Sequence, residues 1–386
     1  MALFAGGFVL FASLYCVQPV LPELAIEFHL TPAVASLALS FTTGALSIFL
    51  LVAGSLSEAW GRKSLMAASL LGTAALTTLS AWSPSFAMLL TIRALQGIVL
   101  AGVPAVAMAY LSEEVHASSL GLAMGVYISG NAIGGMSGRI ITGLVTDASS
   151  WRWALGTIGV LGLFTALWFT RALPPSKHFV ARPLQPAALI HSLLRHLADP
   201  ALLCLYGVGF LLMGSFVAVY NYMGFLLVGP PYHYSVATVG WIFLVYLAGT
   251  WSSTWMGRLA DRLGRRRILW LGITLAITGA LLTVPIPVLF KLAGLTIFTF
   301  GFFGAYSITS SWVGRRATRD RAQASSLYLF AYYAGSSIGG YAGGLFWEWQ
   351  GWAGVIGMAS GFLVLALLLS AVLARIPPVV TLTSRG

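Results

Sequence analysis

Twelve apolar stretches constrain this chain more than any motif in it. They run at approximately 2–22, 34–56, 64–82, 86–110, 119–146 and 152–171, then 201–228, 236–258, 266–284, 289–312, 322–346 and 350–374. Most approach or exceed the ~20 residues that an α-helix needs to cross a hydrocarbon layer ~30 Å thick. Within a bilayer every backbone N–H and C=O must find a partner in the segment itself, so these stretches are read as helices. A barrel would use shorter strands of alternating polarity. Only 8% of the residues are charged, against about a quarter in a soluble domain. The expected fold is an all-α polytopic membrane protein with twelve transmembrane helices. The first apolar run begins at residue 2, with no basic stretch before it and no small-x-small cleavage pattern. It is read as a span and not as a signal peptide.

The formal charge of +11 would raise nucleic acid as a partner in a soluble protein. Here the positions of the charges give another answer. Of the 21 Lys and Arg, Arg93 and Arg139 fall within spans, and Arg152 and Lys291 fall on the side away from the termini. All the others lie in loops or the tail on the side of the termini. Positive residues favour the cytoplasmic side, so both termini are expected there. Those basic loops also suit an anionic inner leaflet, and no nucleic-acid partner is expected. Cys16 and Cys204 lie in apolar runs without metal or redox spacing, and packing is their expected role. No cofactor or metal is expected.

The chain repeats itself. "GSLSEAWGRK" at 54–63 follows the second span and "GRLADRLGRR" at 257–266 follows the eighth. "GNAIGGMSGR" at 130–139 in span five matches "GSSIGGYAGG" at 335–344 in span eleven. Two related six-helix halves are expected, 1–171 and 200–386, around a central cavity. Residues 172–199 join them as a linker with a short amphipathic helix near 187–198, with Leu189, Leu193, Leu194 and Leu197 on one side. Internal repeats of this kind favour transporters over channels and receptors.

At these residues the sequence resembles the major facilitator superfamily over its whole length, in the drug and solute efflux antiporter branch. It is most similar to enterobacterial-type inner-membrane arabinose-efflux and multidrug-like permeases. These share "YCVQP" in span one, "YLSEE" after span four, the "ISGN" and "IGGMSGR" blocks of span five and "GFLLMGSF" in span seven. The resemblance implies alternating access, a proton gradient as driving force, a substrate held between the halves and the bacterial inner membrane as location. A monomer is expected, with a small-molecule substrate, protons and lipid as its partners.

The repeated loop matches the family pattern through Gly257, Asp261, Arg262, Gly264, Arg265 and Arg266. The first copy carries Gly54, Glu58, Gly61, Arg62 and Lys63, with Ala59 where the family has a basic residue. Glycine permits the tight turn. A carboxylate beside arginines and a helix N-terminus can form a latch made in one state and broken in another. The plainer alternative is a basic loop that only sets topology. In span four, Arg93 and Gly97 fit the family's buried Arg-x-x-x-Gly motif, which implies proton coupling or charge balance.

Span five has two faces. Gly130, Gly134 and Gly138 repeat every four residues, a stripe that lets helices approach closely. Span eleven has the same stripe in Gly335, Gly339 and Gly343. Asn131 and Arg139 lie on the adjacent stripe, with Arg139 about 12 Å from the outer end and Arg93 about 10 Å. An arginine at that depth is expensive and points to function. The structural alternatives are backbone carbonyls as partners, or Asp147 reached by snorkelling. None of the ten Asp and Glu lies deep within a span. Proton-coupled carriers commonly use such a carboxylate, its pKa raised by desolvation. Two buried cations without a buried anion point to an anionic or polar solute, held by Arg139 and Arg93. Gln18, Asn131 and Asn221 are the candidate hydrogen-bonding partners. Tyr15, Tyr220, Tyr222, Tyr246, Tyr306, Tyr332 and Tyr333 are further candidates to line the path, each an apolar body with a polar tip. The expected function is export of a small solute or drug, with a passive facilitator as the alternative. No catalytic triad, metal constellation or phosphate loop argues for an enzyme.

Overall fold

The computed structural model of the protein describes residues 1–176, 179 and 186–377. The proline-rich start of the linker lies partly outside the described residues, as does the basic C-terminal tail. The described residues form twelve membrane-spanning helical segments and one linker helix, without strands. Both described ends therefore lie on one face, the termini face, opposite the far face.

Several spans are interrupted, and the interruptions place the polar groups. Span one is a helix over Ala2–Tyr15, a 3-10 turn at Gln18–Val20 and a helix over Leu21–Glu27. Pro19 has no N–H for the Tyr15 carbonyl and its ring crowds that oxygen, so the α-helix stops there. Span four breaks before Pro104 for the same reason, into Phe86–Leu100 and Pro104–Glu114. Span eight runs Val236–Trp241, a 3-10 turn at Ile242–Val245, then Tyr246–Leu263. Spans two, three, five, six, seven, nine and ten are continuous: Pro32–Trp60, Arg62–Ser80, Ala117–Ala148, Trp151–Ala172, Pro200–Val228, Arg265–Leu282 and Val288–Arg316. Spans eleven and twelve follow within Arg321–Arg375, bent at Gln350 and Gly351.

The glycine stripes sit at the closest helix crossings. A Cβ on Gly130 or Gly134 would stand well under 3.0 Å from the backbone of Phe4 or Phe8 in span one, and one on Gly138 would meet Ala12 at 2.6 Å. Gly335 and Gly339 meet the backbone of Phe210 and Gly214 in span seven in the same way, and Gly343 meets Tyr222 and Ala218. Gly97 fits against the Thr42 carbonyl of span two.

The first six and the last six spans meet closely toward the far face. A Cβ on Gly143 of span five would lie 2.8 Å from the Val236 carbonyl of span eight. One on Gly344 of span eleven would collide with Ala33 of span two. A Cβ on Gly121 or Gly125, nearer the termini face of span five, would meet nothing within 4 Å, while Leu51 of span two still packs against the cluster of Tyr206, Leu327 and Tyr328 in the last six spans. The two halves are thus held in close contact toward the far face.

The linker helix, Pro186–Leu197, is docked on the last six spans. Ser192 donates to Asp320 Oδ2 at 2.9 Å, Arg195 pairs with the same oxygen, and His196 reaches the Asp320 carbonyl. Ser192 and His196 are buried, while Ile190, Leu194 and Leu197 are exposed. The Ser192 hydroxyl holds the Asp320 carboxyl below its ordinary pKa; burial opposes it, and the Arg195 charge and hydrogen bond add to the lowering.

Candidate functional site at the broken first helix

The break in span one frees backbone carbonyls in the middle of the protein, and a helix end buried without partners is costly. Arg93 supplies those partners. Its Nη2 donates to the Leu14 carbonyl at 2.7 Å, its Nη1 to the Ser13 carbonyl at 3.2 Å and its Nε to the Ala38 carbonyl of span two at 3.0 Å. Gln96, one turn on, accepts from Nη1 at 2.6 Å and donates to Thr77 Oγ1 at 2.8 Å. Arg93 is fully buried, and each of its three guanidinium nitrogens is occupied. It holds spans one, two and four together at the break.

Arg139 approaches the same break from span five and is held differently. Its guanidinium carbon lies 4.1 Å from the ring centre of Tyr15, 4.6 Å from Phe243 and 5.0 Å from Tyr246. Aromatic faces attract a desolvated cation, and Phe243 and Tyr246 belong to the other half of the molecule. Its Nη1 donates to the Gly135 carbonyl one turn back at 2.7 Å. Its Nε donates to Gln18 Oε1 at 2.6 Å. Among the described residues Nη2 makes no hydrogen bond, and no carboxylate pairs with this arginine. Asp147 is exposed at the end of span five.

The polarity of the next bonds follows from the arginine. A guanidinium only donates, so Gln18 must turn its oxygen to Arg139 and its amide nitrogen away. That nitrogen donates to Asn221 Oδ1 of span seven at 2.7 Å. Gln18 and Asn221 are both buried, and they are 203 positions apart, the offset of the repeated loop. A chain of hydrogen bonds thus runs from span five through span one to span seven. Asn221 Nδ2, left as a donor at its end, is buried without a partner.

Two other arginines show what such an edge can hold. Arg62 gives Nε and Nη2 to the two oxygens of Glu113, at 3.2 and 2.8 Å. Arg316 gives the same two nitrogens to Asp199, at 2.9 and 3.2 Å. This edge matches a carboxylate. In Arg139 it carries one amide oxygen on Nε and nothing on Nη2.

The other sequence-predicted residues are distributed around this centre. Asn131 packs against Gly7 of span one, two helical turns from Arg139, and its Oδ1 is buried without a partner. Tyr220 bonds Thr299 Oγ1 at 2.6 Å and Tyr222 donates to the Gly340 carbonyl at 2.9 Å. Tyr306, Tyr332 and Tyr333 form a cluster with ring centres 4.9 and 5.2 Å apart, the first pair tilted and the second edge-to-face. The Tyr246 hydroxyl is buried and unpartnered. Phe243, Gln96, Thr77 and Thr299 belong to these networks and were not singled out by sequence. Gln96 alone left a signal, a polar residue one turn after Arg93.

The repeated loops pair within their own halves. Gly61 and Gly264 turn the chain at φ of 91° and 92°, a backbone region open chiefly to glycine. Arg62 bonds Glu113 and Ser57, and Lys63 reaches the Leu173 carbonyl at 2.5 Å. Asp261 lies 3.4 Å from Arg265 and 3.7 Å from Arg315. Gly54 and Gly257 have open space around them. Glu58, Arg262 and Arg266 make no ion pair among the described residues.

The comparisons with known proteins agree with this architecture. The family profile described as Major Facilitator Superfamily matches residues 3–233 and 211–386. The MFS-type transporter YybF of Bacillus subtilis is 52% identical over 374 residues, 97% of this chain and 93% of that protein. The inner membrane transport protein YnfM of Escherichia coli is 48% identical over 375 residues, 97% of this chain and 90% of its own length. Among solved structures, a bacterial homolog of the human lysosomal transporter Spinster, inward-facing and occupied, aligns with a TM-score of 0.78. Its sequence identity is 14%, over 97% of this chain and 96% of the other. A D-xylose-proton symporter aligns at 0.72, with 15% identity over 98% and 97% of the two chains.

Proposed function

The chain belongs to the major facilitator superfamily, and from that premise we propose that it moves small organic anions by alternating access, with Arg139 as the anion's anchor. One observation carries the anion: the Nε and Nη2 edge of a buried arginine holds a single amide oxygen, where Arg62 and Arg316 hold a carboxylate. A charge in that position costs several kcal/mol unless something repays it. A substrate carboxylate on the same edge would supply two charge-assisted bonds and a counter-charge together. Tyr15, Tyr246 and Phe243 form the aromatic wall of this site, and Tyr306, Tyr332 and Tyr333 extend it. Arg93 serves as the brace that keeps span one broken there.

In this reading the basic termini face is cytoplasmic, the transporter is a monomer in the bacterial inner membrane and the direction is export. The loop residues around Gly61 and Gly264 act as latches that re-pair when the termini face closes. Protons drive the cycle through the substrate's own acid group, or through Glu23 or Asp147 at the far rim. Passive facilitation is the second reading, favoured by the absence of any Asp or Glu in the middle of a span. Flux in proteoliposomes separates them. A panel of carboxylates, each beside its neutral amide, is loaded and an inward or outward pH gradient is imposed. The expected result is accumulation of a carboxylate against its gradient when protons run the other way. Flux of the amides at the same rate would overturn the anion, and flux indifferent to the gradient would leave the facilitator.

A further inference from the structure

We propose that Gln18 is an internal stand-in for the substrate's anionic group, and that its displacement from Arg139 is what unlocks the far face. The inference rests on Arg139 as the anion's anchor. It concerns what happens there when no substrate is bound. A carrier must pass through its empty state, and a buried guanidinium with no acceptor is expensive in that state. Gln18 Oε1 occupies Nε at 2.6 Å, one of the two nitrogens a carboxylate would take. It lowers the cost of the empty, closed form without adding charge. Being neutral and holding one nitrogen of two, it yields to a carboxylate, whose bonds to a guanidinium are roughly twice as strong.

The consequence for the gate lies in the amide's other end. Gln18 Nε2 holds Asn221 Oδ1 of span seven at 2.7 Å, a direct hydrogen bond between the two halves. The orientation that offers oxygen to Arg139 is the one that offers N–H to Asn221. The arginine therefore sets the polarity of the bond between halves. The same arginine also rests on Phe243 and Tyr246 of the second half. An anion that reaches Arg139 finds Nη2 without a hydrogen bond among the described residues and competes with Gln18 for Nε. Once Gln18 is displaced, nothing fixes its amide toward Asn221, and the link across the seam is released. The coupling is thus carried by one side chain that is a ligand at one end and a bolt at the other.

The test compares two substitutions at Gln18 without any ligand. Spin labels on Ser149→Cys and Thr238→Cys, exposed ends of spans five and eight on the far face, report the separation of the halves. Gln18→Ala removes both bonds, and the open-to-closed ratio should rise about tenfold, the weight of one net hydrogen bond to a charged group. Gln18→Glu keeps an acceptor for Arg139 but has no amide N–H for Asn221 Oδ1, so the bolt is lost and the far face should open like Gln18→Ala. A far face as closed as in the parent protein would overturn the proposal. Arg139→Met leaves the Gln18–Asn221 pair in place but removes the group that orients it. The effects of Gln18→Ala and Arg139→Met should therefore overlap, and the double variant should open by less than their product. If Gln18 were only a structural link to Asn221, the two effects would multiply, and that outcome would equally overturn the proposal. Because no ligand is present, the result is independent of whether any carboxylate in the flux panel is carried.

Discussion

Spans five and eleven are built on one plan and differ at one step. Each lays three glycines, four residues apart, against the first helix of its own half. The next position of each repeat is Arg139 in one and Gly344 in the other. At Gly344 a Cβ would strike Ala33 and the Tyr222 hydroxyl, so span two leaves no room for a side chain. At Arg139 the broken first helix and the 3-10 turn of span eight open a space walled by Tyr15, Phe243 and Tyr246. Close helix approach needs only the glycines. The arginine is an addition to the plan, in the half where the partner helix is interrupted by Pro19.

The largest expected effect falls on the residue that separates the two spans. Arg139→Gln should lower the efficiency of carboxylate transport about 100-fold, the scale of losing one partner of a buried charged pair. Flux in proteoliposomes measures it, and elution as a single species shows that folding is intact. Arg139→Lys keeps the charge and loses the edge, and should recover only part of the loss. If Arg139→Gln carried normally, the two spans would differ only in decoration.

Next comes a pair meant to break the likeness. Gly134→Ala and Gly339→Ala both drive a Cβ into helix backbone, and each should destabilise by about 1–3 kcal/mol. Thermal unfolding in detergent compares them. A large drop for one and none for the other would show that the two crossings are not equivalent.

Arg93→Met tests the contrast between the two buried arginines. It removes the Arg93 bonds to the Ser13, Leu14 and Ala38 carbonyls. Ser13 keeps Gln96 and Ala38 keeps Thr42, so the Leu14 carbonyl is the one left unpaired, at about 1–3 kcal/mol. Melting temperature should fall steeply while the preference for carboxylate over amide stays. A changed preference with normal stability would move Arg93 into the substrate site.

The smallest effect concerns the linker. The Asp320 carboxyl is held below its ordinary value of 3.8, chiefly by Ser192 and then by Arg195 against burial. A depressed carboxylate stabilises fully above its unfolded pKa and loses that contribution as pH falls through the folded one. Docking of the linker helix should therefore weaken only below pH 3.8. Asp320 is well exposed, so the contribution is under about 1 kcal/mol. Proteolysis of the linker at neutral pH in Asp320→Asn measures it.

The spans were legible in sequence because an apolar run of the right length has few alternatives in a bilayer. The breaks were harder to place. Pro19 and Pro104 announce a loss of one backbone bond, yet neither says which side chain answers the freed carbonyls. For Pro19 the answer, Arg93, comes from another helix and is a tertiary fact. The same holds for Gln18 and Asn221. Each reads as a polar residue in an apolar span, and only the fold shows that they meet at symmetry-related positions. Phe243 carried no mark at all, being one apolar residue among many until the 3-10 turn aims it at Arg139. Charges outside the spans were partly legible: the loop glycines announced their turn, but Glu113 as the partner of Arg62 did not follow from spacing.

The central claim is that the half-filled edge of Arg139 takes a carboxylate. The most direct measurement is thermal unfolding of the purified protein against carboxylates paired with their isosteric amides, repeated in Arg139→Gln. At ligand concentrations 100 times Kd the gain should be about 2.7 kcal/mol, readily seen as a rise in melting temperature. The account predicts a rise with at least one carboxylate, none with its amide and none in Arg139→Gln. Equal rises with acid and amide, or a carboxylate response that survives in Arg139→Gln, would contradict it.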